Sequence, residues 1–206
     1  MYFSYDIIDQ RAKQSPNDIA VKWHTGDGYI LEISNADLHH HSDVTAYYLR
    51  RMGVSNGSVV ALYGLENIFE FATVLTALNK LCAIPMFDLH QKPIERCNQM
   101  QVYAIIAESK SSVIGTIDSN LDKLNTLEIK ISVGFPYPQN WFDLHTGTRL
   151  ASIFKPACNL PKQYTSLIVY DDKPILYDET YPFTTDNNCL WDKFFQTMRT
   201  NSIFEF

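Results

Sequence analysis

Residues Gly57 to Ile106 read GSVVALYGLENIFEFATVLTALNKLCAIPMFDLHQKPIERCNQMQVYAII, and the alternation inside this stretch decides the fold. Val59-Val60-Ala61-Leu62-Tyr63 is a short β-rich run, and Ile68 to Lys80 follows it with Phe69, Ala72, Val74, Leu75 and Leu78 at helical spacing. Ala83-Ile84-Pro85-Met86-Phe87 is the next strand, Pro93 opens a helix through Met100, and Val102 to Ala107 is a third apolar run. Strands alternating with helices predict parallel pairing through crossovers. The expected fold is α/β: a mainly parallel sheet with helices on both faces.

Upstream, Asp6 to Gln14 has the pattern of a short helix with Ile7, Ile8 and Ala12 inward, ended by Ser15-Pro16-Asn17. Ile19 to Trp23 and Tyr29 to Ile33 flank Thr25-Gly26-Asp27-Gly28, which predicts a small N-terminal β-hairpin. Ser34 with Asp37 three residues on starts a helix that runs to about Met52 and stops at Gly53. Downstream, Leu121 to Leu127 continues a helix, Ile129 to Val133 is a strand, Gly134 to Pro138 a loop, and Trp141 to Leu144 begins a short element. Past the Asn159-Leu160-Pro161-Lys162 loop the character changes. Thr165 to Tyr170 and Lys173 to Tyr177 are strand-like, and Leu190 to Met198 is an aromatic-rich helix. The expected division is an α/β domain over 1–162 and a divergent aromatic-rich appendage over 163–206 packed on it.

Composition narrows the class. The chain of 206 residues is 46% hydrophobic and 19% charged, in the range of a folded globular protein. Seventeen Lys and Arg against 23 Asp and Glu give a formal charge of −6, which makes nucleic acid and anionic membranes poor partners. No run reaches the roughly 18 apolar residues of a membrane span. The opening Met1 to Asp6 lacks the basic head and apolar core of a signal peptide, so a cytoplasmic setting is expected.

Few residues invite a chemical reading. His39-His40-His41 suggests a metal, but three consecutive helical residues point about 100° apart and cannot converge on one ion. They read as solvated helix surface, with His39 able to pair with Asp43. Cys82, Cys97, Cys158 and Cys189 are scattered and read as reduced thiols without a disulfide or zinc site. His90 follows Phe87-Asp88-Leu89 at the carboxyl end of a strand, where open sheets hold ligands, but reads as a satisfied loop histidine rather than a ligand. No acid, base or nucleophile lies near it in sequence, so no catalytic residue, cofactor-binding residue or metal ligand is assigned.

From Phe3 to about Trp141 the order of signals resembles the N-terminal part of adenylate-forming enzymes, most closely the medium-chain acyl-CoA synthetases. Phe3-Ser4-Tyr5-Asp6-Ile7-Ile8-Asp9-Gln10-Arg11-Ala12 is similar to the family's opening, an aromatic then Tyr-Asp-x-x-Asp-x-x-Ala. Pro16 with Ile19 to Trp23, Ile33 to Leu38 and Leu49 to Val60 resemble its next strand, helix start and LrslGVkkGDrV segment. Lys80-Leu81-Cys82-Ala83-Ile84-Pro85 resembles KLGAIPV, with Cys82 where the family usually has Gly.

The resemblance implies activation of a carboxylic acid with ATP and magnesium, then acyl transfer to coenzyme A. Such chemistry needs a Ser/Thr/Gly-rich loop whose amides cradle the phosphates. The two placements for that loop, Asp171 to Pro182 and Ile153 to Lys162, contain no glycine, and the first presents Asp178 and Glu179. The resemblance therefore implies a truncated, degenerate relative that does not bind ATP, Mg or CoA alone and acts as a binding or interaction module. The alternative is the N-terminal piece of a split or larger acyl-CoA ligase. A scaffold cut from its family's second subdomain is expected to expose apolar helix faces, predicting a homo-oligomer or a partner protein. The tail aromatics Tyr177, Tyr181, Phe183, Trp191, Phe194, Phe195, Phe204 and Phe206 instead pack as core or fold back as a cover.

Overall fold

The computed structural model of the chain describes residues 2–155, 160–161, 165–178 and 189–206. A π-helical turn, Phe3–Ile8, runs into α1 (Asp9–Gln14). The hairpin β1 (Ile19–His24) and β2 (Ile30–Ser34) leads to α2 (Asn35–Arg51). The alternating stretch supplies β3 (Val59–Tyr63), α3 (Ile68–Lys80), β4 (Ile84–Asp88), α4 (Pro93–Gln99) and β5 (Ala104–Glu108). Then come α5 (Val113–Asp118), β6 (Ile129–Val133), β7 (Phe142–Asp143) and α6 (Leu144–Arg149). The remaining elements are β8 (Thr165–Tyr170), β9 (Pro174–Asp178), α7 (Leu190–Arg199) and β10 (Phe204–Glu205).

The main sheet has seven strands in the order β7-β6-β5-β3-β4-β8-β9. All its pairings are parallel except β8 with β9. Its two faces follow the period of two along each strand. Val60 and Leu62 of β3, with Ala104 and Ile106 of β5, enter one core with α2, α3 and α7. Ala61, Tyr63, Ile105 and Ala107 enter the other with Cys97 of α4 and Val113, Ile114 and Ile117 of α5. Pro85 is tolerated inside β4 because Ile84 N–H bonds to Ser58 on the β3 side, while pairing to β8 begins only at Met86. A second sheet of three strands, β10-β1-β2, joins the carboxyl end of the described chain to the hairpin. The 163–206 segment thus contributes β8 and β9 to the main sheet and β10 to the small one.

The helix ends share one local solution. Ser34 and Asp37 form a capping box at the start of α2, the Ser34 hydroxyl accepting from Asp37 N–H at 3.0 Å. At its end Gly53 (φ 96°) lets Val54 N–H reach the Leu49 carbonyl at 3.0 Å. The same closure ends α3 through Cys82 (φ 52°), with Ala83 N–H on the Leu78 carbonyl at 3.0 Å. Cys82 therefore occupies a left-handed position that favours glycine, which is the residue the family resemblance leads one to expect there.

Several expectations are corrected. The helix expected over Leu121 to Leu127 is a single 3-10 turn, Leu121–Lys123, and the regular turn lies earlier, in α5. Val113, Ile114 and Ile117 offer a helical apolar stripe to the sheet, whereas in the expected segment Leu124 is buried and Leu121 is exposed. The first helix begins at Phe3 rather than Asp6, and it buries Phe3, Ile8 and the Arg11 side chain, with Ile7 and Ala12 only half-buried. Exposed apolar helix faces are absent among the described residues. The uncovered large apolar side chains lie in loops, in the 3-10 turn and on strands, including Ile30 and Leu31 of β2 and Ile175 and Leu176 of β9. The helices are covered because α3 is sandwiched between the main sheet and a layer made of α2 and the π-turn, burying every residue except Phe69.

The tail aromatics largely pack as core. Trp191 stacks on Phe87 at 5.0 Å, and Phe194 meets Phe3, Phe71 and Phe204 at 5.7, 6.2 and 5.2 Å. Phe206 is 52% exposed, Tyr177 is half-buried, and Tyr181 and Phe183 lie outside the described residues. No described helix is long and apolar enough to cross a membrane.

Candidate functional site

In an open α/β sheet the strand order reverses at one point, and the loops there diverge to leave a crevice beyond the carboxyl ends. Here the chain leaves β3 through α3 to reach β4 on one side, and β5 returns to the other side of β3. A crevice of about 530 Å³ opens at this reversal. Gly64, Glu66 and Asn67 line it from the loop after β3, Glu108, Lys110 and Ser111 from the exit of β5, with Gln91 and Trp23 beside them. Gly64 (φ 66°) makes the β3 exit possible, because a residue with a Cβ is strained in this left-handed backbone conformation. The Asn67 side chain accepts from Phe69 and Glu70 N–H at 3.0 and 3.2 Å, which fixes the start of α3 at the crevice wall.

A polar group continues behind this wall. Glu70, 7% exposed in the first turn of α3, lies 3.4 Å from His145 Nε2. Asp143 caps α6 by accepting from Thr146 N–H at 2.8 Å, while its Oδ1 is buried without a hydrogen bond. Glu108 Oε2 and the hydroxyls of Thr73 and Ser109 are likewise buried without a partner among the described residues. Gly134 (φ 87°) admits Glu108, since a Cβ at that position would sit 2.5 Å from Oε1. Burial pushes the Glu70 carboxyl up, Glu108 and Asp143 add to this, and His145 opposes it. Burial also raises Glu108, with Glu66 reinforcing and Lys110 and His145 opposing.

This arrangement makes a pH prediction. A carboxyl raised in the folded state favours the protonated form, so its contribution to stability is fullest in acid and is lost as pH rises through the folded value. Glu70→Gln should therefore stabilise the protein at pH 7, on the order of 1 kcal/mol, and flatten stability between pH 4.5 and neutrality. Urea unfolding of both proteins at several pH values measures this. A variant less stable at pH 7 with an unchanged slope would mean that the His145 pair outweighs burial.

The residues singled out in the sequence lie elsewhere. His90 Nε2 donates to Asp171 Oδ1 at 2.7 Å, with Asp172 3.9 Å away, at the carboxyl ends of β4 and β8. Among the described residues these three form the one group whose ligand atoms converge within 4.8 Å, and all three are exposed. His39 is not simply solvated surface: its Nδ1 lies 2.8 Å from Asp9, beside the fully buried Lys80, because α1 and α3 close over that face of α2. His40 and His41 are exposed. Cys97 and Cys189 are free thiols, Cys82 is buried, and Cys158 lies outside the described residues. Burial, with Asp88 second, pushes the Cys97 thiol up to about 12, which makes it unreactive. Of the two loop placements, 179–182, 156–159 and 162 lie outside the described residues.

Glu70, Glu108, Asp143 and His145 were not picked out from sequence, yet two carried a signal. Glu70 interrupts a helix that is apolar nearly all round and must be buried. Glu108 ends a parallel strand, where ligands are met.

No family model and no curated protein matches the chain. Solved structures do. A Mycobacterium tuberculosis fatty acyl CoA synthetase superposes with a TM-score of 0.75 at 15% identity, over 99% of this chain and 44% of that one. The anthranilate CoA ligase AuaEII, solved with anthranoyl-AMP, gives a TM-score of 0.65 at 17% identity, over 82% of this chain and 33% of that one. The chain thus spans less than half the length of these structures. At such identities the likeness is one of fold: the chain carries the α/β architecture of the N-terminal subdomain of adenylate-forming enzymes.

Proposed function

We propose that the chain is a binding module built on the acyl-CoA synthetase fold, nearest to the medium-chain enzymes, and without adenylation activity of its own. The acidic lining of the switch-point crevice carries this reading. Glu66 and Glu108 flank Lys110 there, and Glu70 and Asp143 stand behind them. A triphosphate brought to such a wall meets like charges in a partly dry setting, at a cost on the order of a few kcal/mol. In sequence, 153–162 and 171–182 contain no glycine, the residue that lets a loop's backbone approach phosphates closely. The expected result is no ATP-dependent pyrophosphate release by the purified chain with any of a panel of short, medium and aromatic carboxylic acids. Release above the rate of an unrelated protein overturns the proposal.

The fold shared with two CoA ligases supports a second reading, in which the chain is the N-terminal piece of a split or larger acyl-CoA ligase whose nucleotide loop lies on another chain. Under it, a neighbouring reading frame starts near the family's Thr-Ser-Gly motif. The division at residue 162 and the association with a second copy or a partner belong to the same proposal. The association has its support in the uncovered Ile175 and Leu176 on the edge strand β9. Light scattering checks the association, and a monomer at all concentrations removes it.

A further inference from the structure

We propose that the crevice between the ends of β3 and β5 takes a small organic cation, an ammonium or guanidinium compound. This rests on the reading of the crevice as the ligand site of a binding module. Three observations combine. The space, about 530 Å³, is that of a small-molecule site. Its charged lining is two carboxylates, Glu66 and Glu108, against the single cation Lys110 among the described residues. One wall is Trp23, whose indole face attracts a cation and gives an aliphatic body an apolar surface.

Glu108 adds a specific vacancy in its hydrogen bonding. Its Oε2 is buried and has no donor among the described residues, a condition that costs free energy until a donor arrives. An N–H-bearing cation supplies such donors. A phosphate or carboxylate supplies only acceptors and adds to the repulsion.

A bare metal ion fits less well, because it needs ligand atoms that converge. Among the described residues the group that converges is His90, Asp171 and Asp172, none of which lines this crevice. Carboxylates dispersed around an aromatic wall suit an extended cation whose charge is shared over several N–H groups.

Agmatine, which carries both a guanidinium and an ammonium, is the probe for calorimetric titration, with 1,5-pentanediol as the uncharged control and AMP as the anionic one. The expected result is saturable agmatine binding that weakens with salt and changes tryptophan emission. Trp23→Phe removes the emission change, separating it from Trp141 and Trp191. Glu66→Gln and Glu108→Gln each weaken binding about tenfold, about 1.4 kcal/mol. Glu66 is exposed, so its variant keeps the fold and the test remains decisive if Glu108→Gln does not.

Agmatine binding that neither glutamine variant changes overturns the proposal. Equal binding of 1,5-pentanediol, or of AMP with loss on Lys110→Met, overturns the cation and leaves the crevice standing as a ligand site. No binding of any probe overturns the cation and the crevice together.

Discussion

Replacing Lys80 with methionine is expected to lower the free energy of unfolding at pH 7 by about 3–5 kcal/mol. The Lys80 side chain is fully buried, with Nζ 3.0 Å from Asp9 Oδ1 and 2.5 Å from Asp43 Oδ1. Asp9 and Asp43 are only 16% and 9% exposed. Methionine fills nearly the same volume, so little of the loss comes from a cavity. It comes from two carboxylates left in a poorly solvated place with only His39, among the described residues, for company.

The pH dependence separates this cause from simple mispacking. Burial alone would raise the Asp9 carboxyl, but the His39 hydrogen bond and the charge and hydrogen bond of Lys80 outweigh it and hold it below the ordinary value. A carboxyl lowered in the folded state contributes stability that is present above its unfolded value and lost as pH falls through the folded one. In the parent protein, stability therefore climbs with pH through the acid range. Without Lys80 the sign reverses at this site, since the unpaired acids favour their protonated forms in the fold. The gap between parent and variant should narrow as pH falls toward 4, and adding Asp43→Asn should recover part of the loss at pH 7. Urea unfolding across that range measures both, and a gap that stays constant with pH rules out the charge argument.

Lys80 also marks where sequence reading stops. The alternation over Gly57 to Ile106 was enough for the centre of the sheet, because β3, α3, β4, α4 and β5 are local patterns joined by short connections. Both faces of the sheet follow from the same period of two, Val60 and Leu62 one way, Ala61 and Tyr63 the other. Local pattern cannot tell which side of α3 will be covered again. Asn79 and Lys80 read as the polar end of a helix, yet the π-turn and α2 roof them over. There Asn79 accepts from Ser4 N–H at 2.9 Å, and Lys80 meets Asp43 from 37 positions away.

The candidate site fails to appear in sequence for the same reason. Glu70, Glu108 and Asp143 come from three separate segments and share no motif. Their meeting depends on the strand order, which places β5 and β3 side by side with β6 and β7 beyond. What sequence could show was the position of each at a strand or helix end.

Truncating Phe194 to alanine is expected to cost about 3–5 kcal/mol, the range for a large aromatic removed from a closed core. Phe194 is fully buried and is the centre of an aromatic group that joins its neighbour Phe195 in α7 to Phe3 of the π-turn, Phe71 of α3 and Phe204 of β10. The consequence reaches the crevice through β1. Val21 and Lys22 pair with Phe204 and Glu205, and His24 N–H reaches the Phe206 carbonyl at 2.7 Å, so β10 holds the strand that carries Trp23. Loss of Phe194 should therefore loosen α7 and β10 first, raising amide exchange at Phe204 and Phe206 and moving Trp23 emission toward that of an exposed indole. Phe194→Leu, which keeps most of the apolar volume, should recover more than half of the stability. Denaturant unfolding and hydrogen exchange on the two variants decide the matter. If Phe194→Ala unfolds within about 1 kcal/mol of the parent, the tail rests on the domain as a detachable cover and β1 holds Trp23 in place without it.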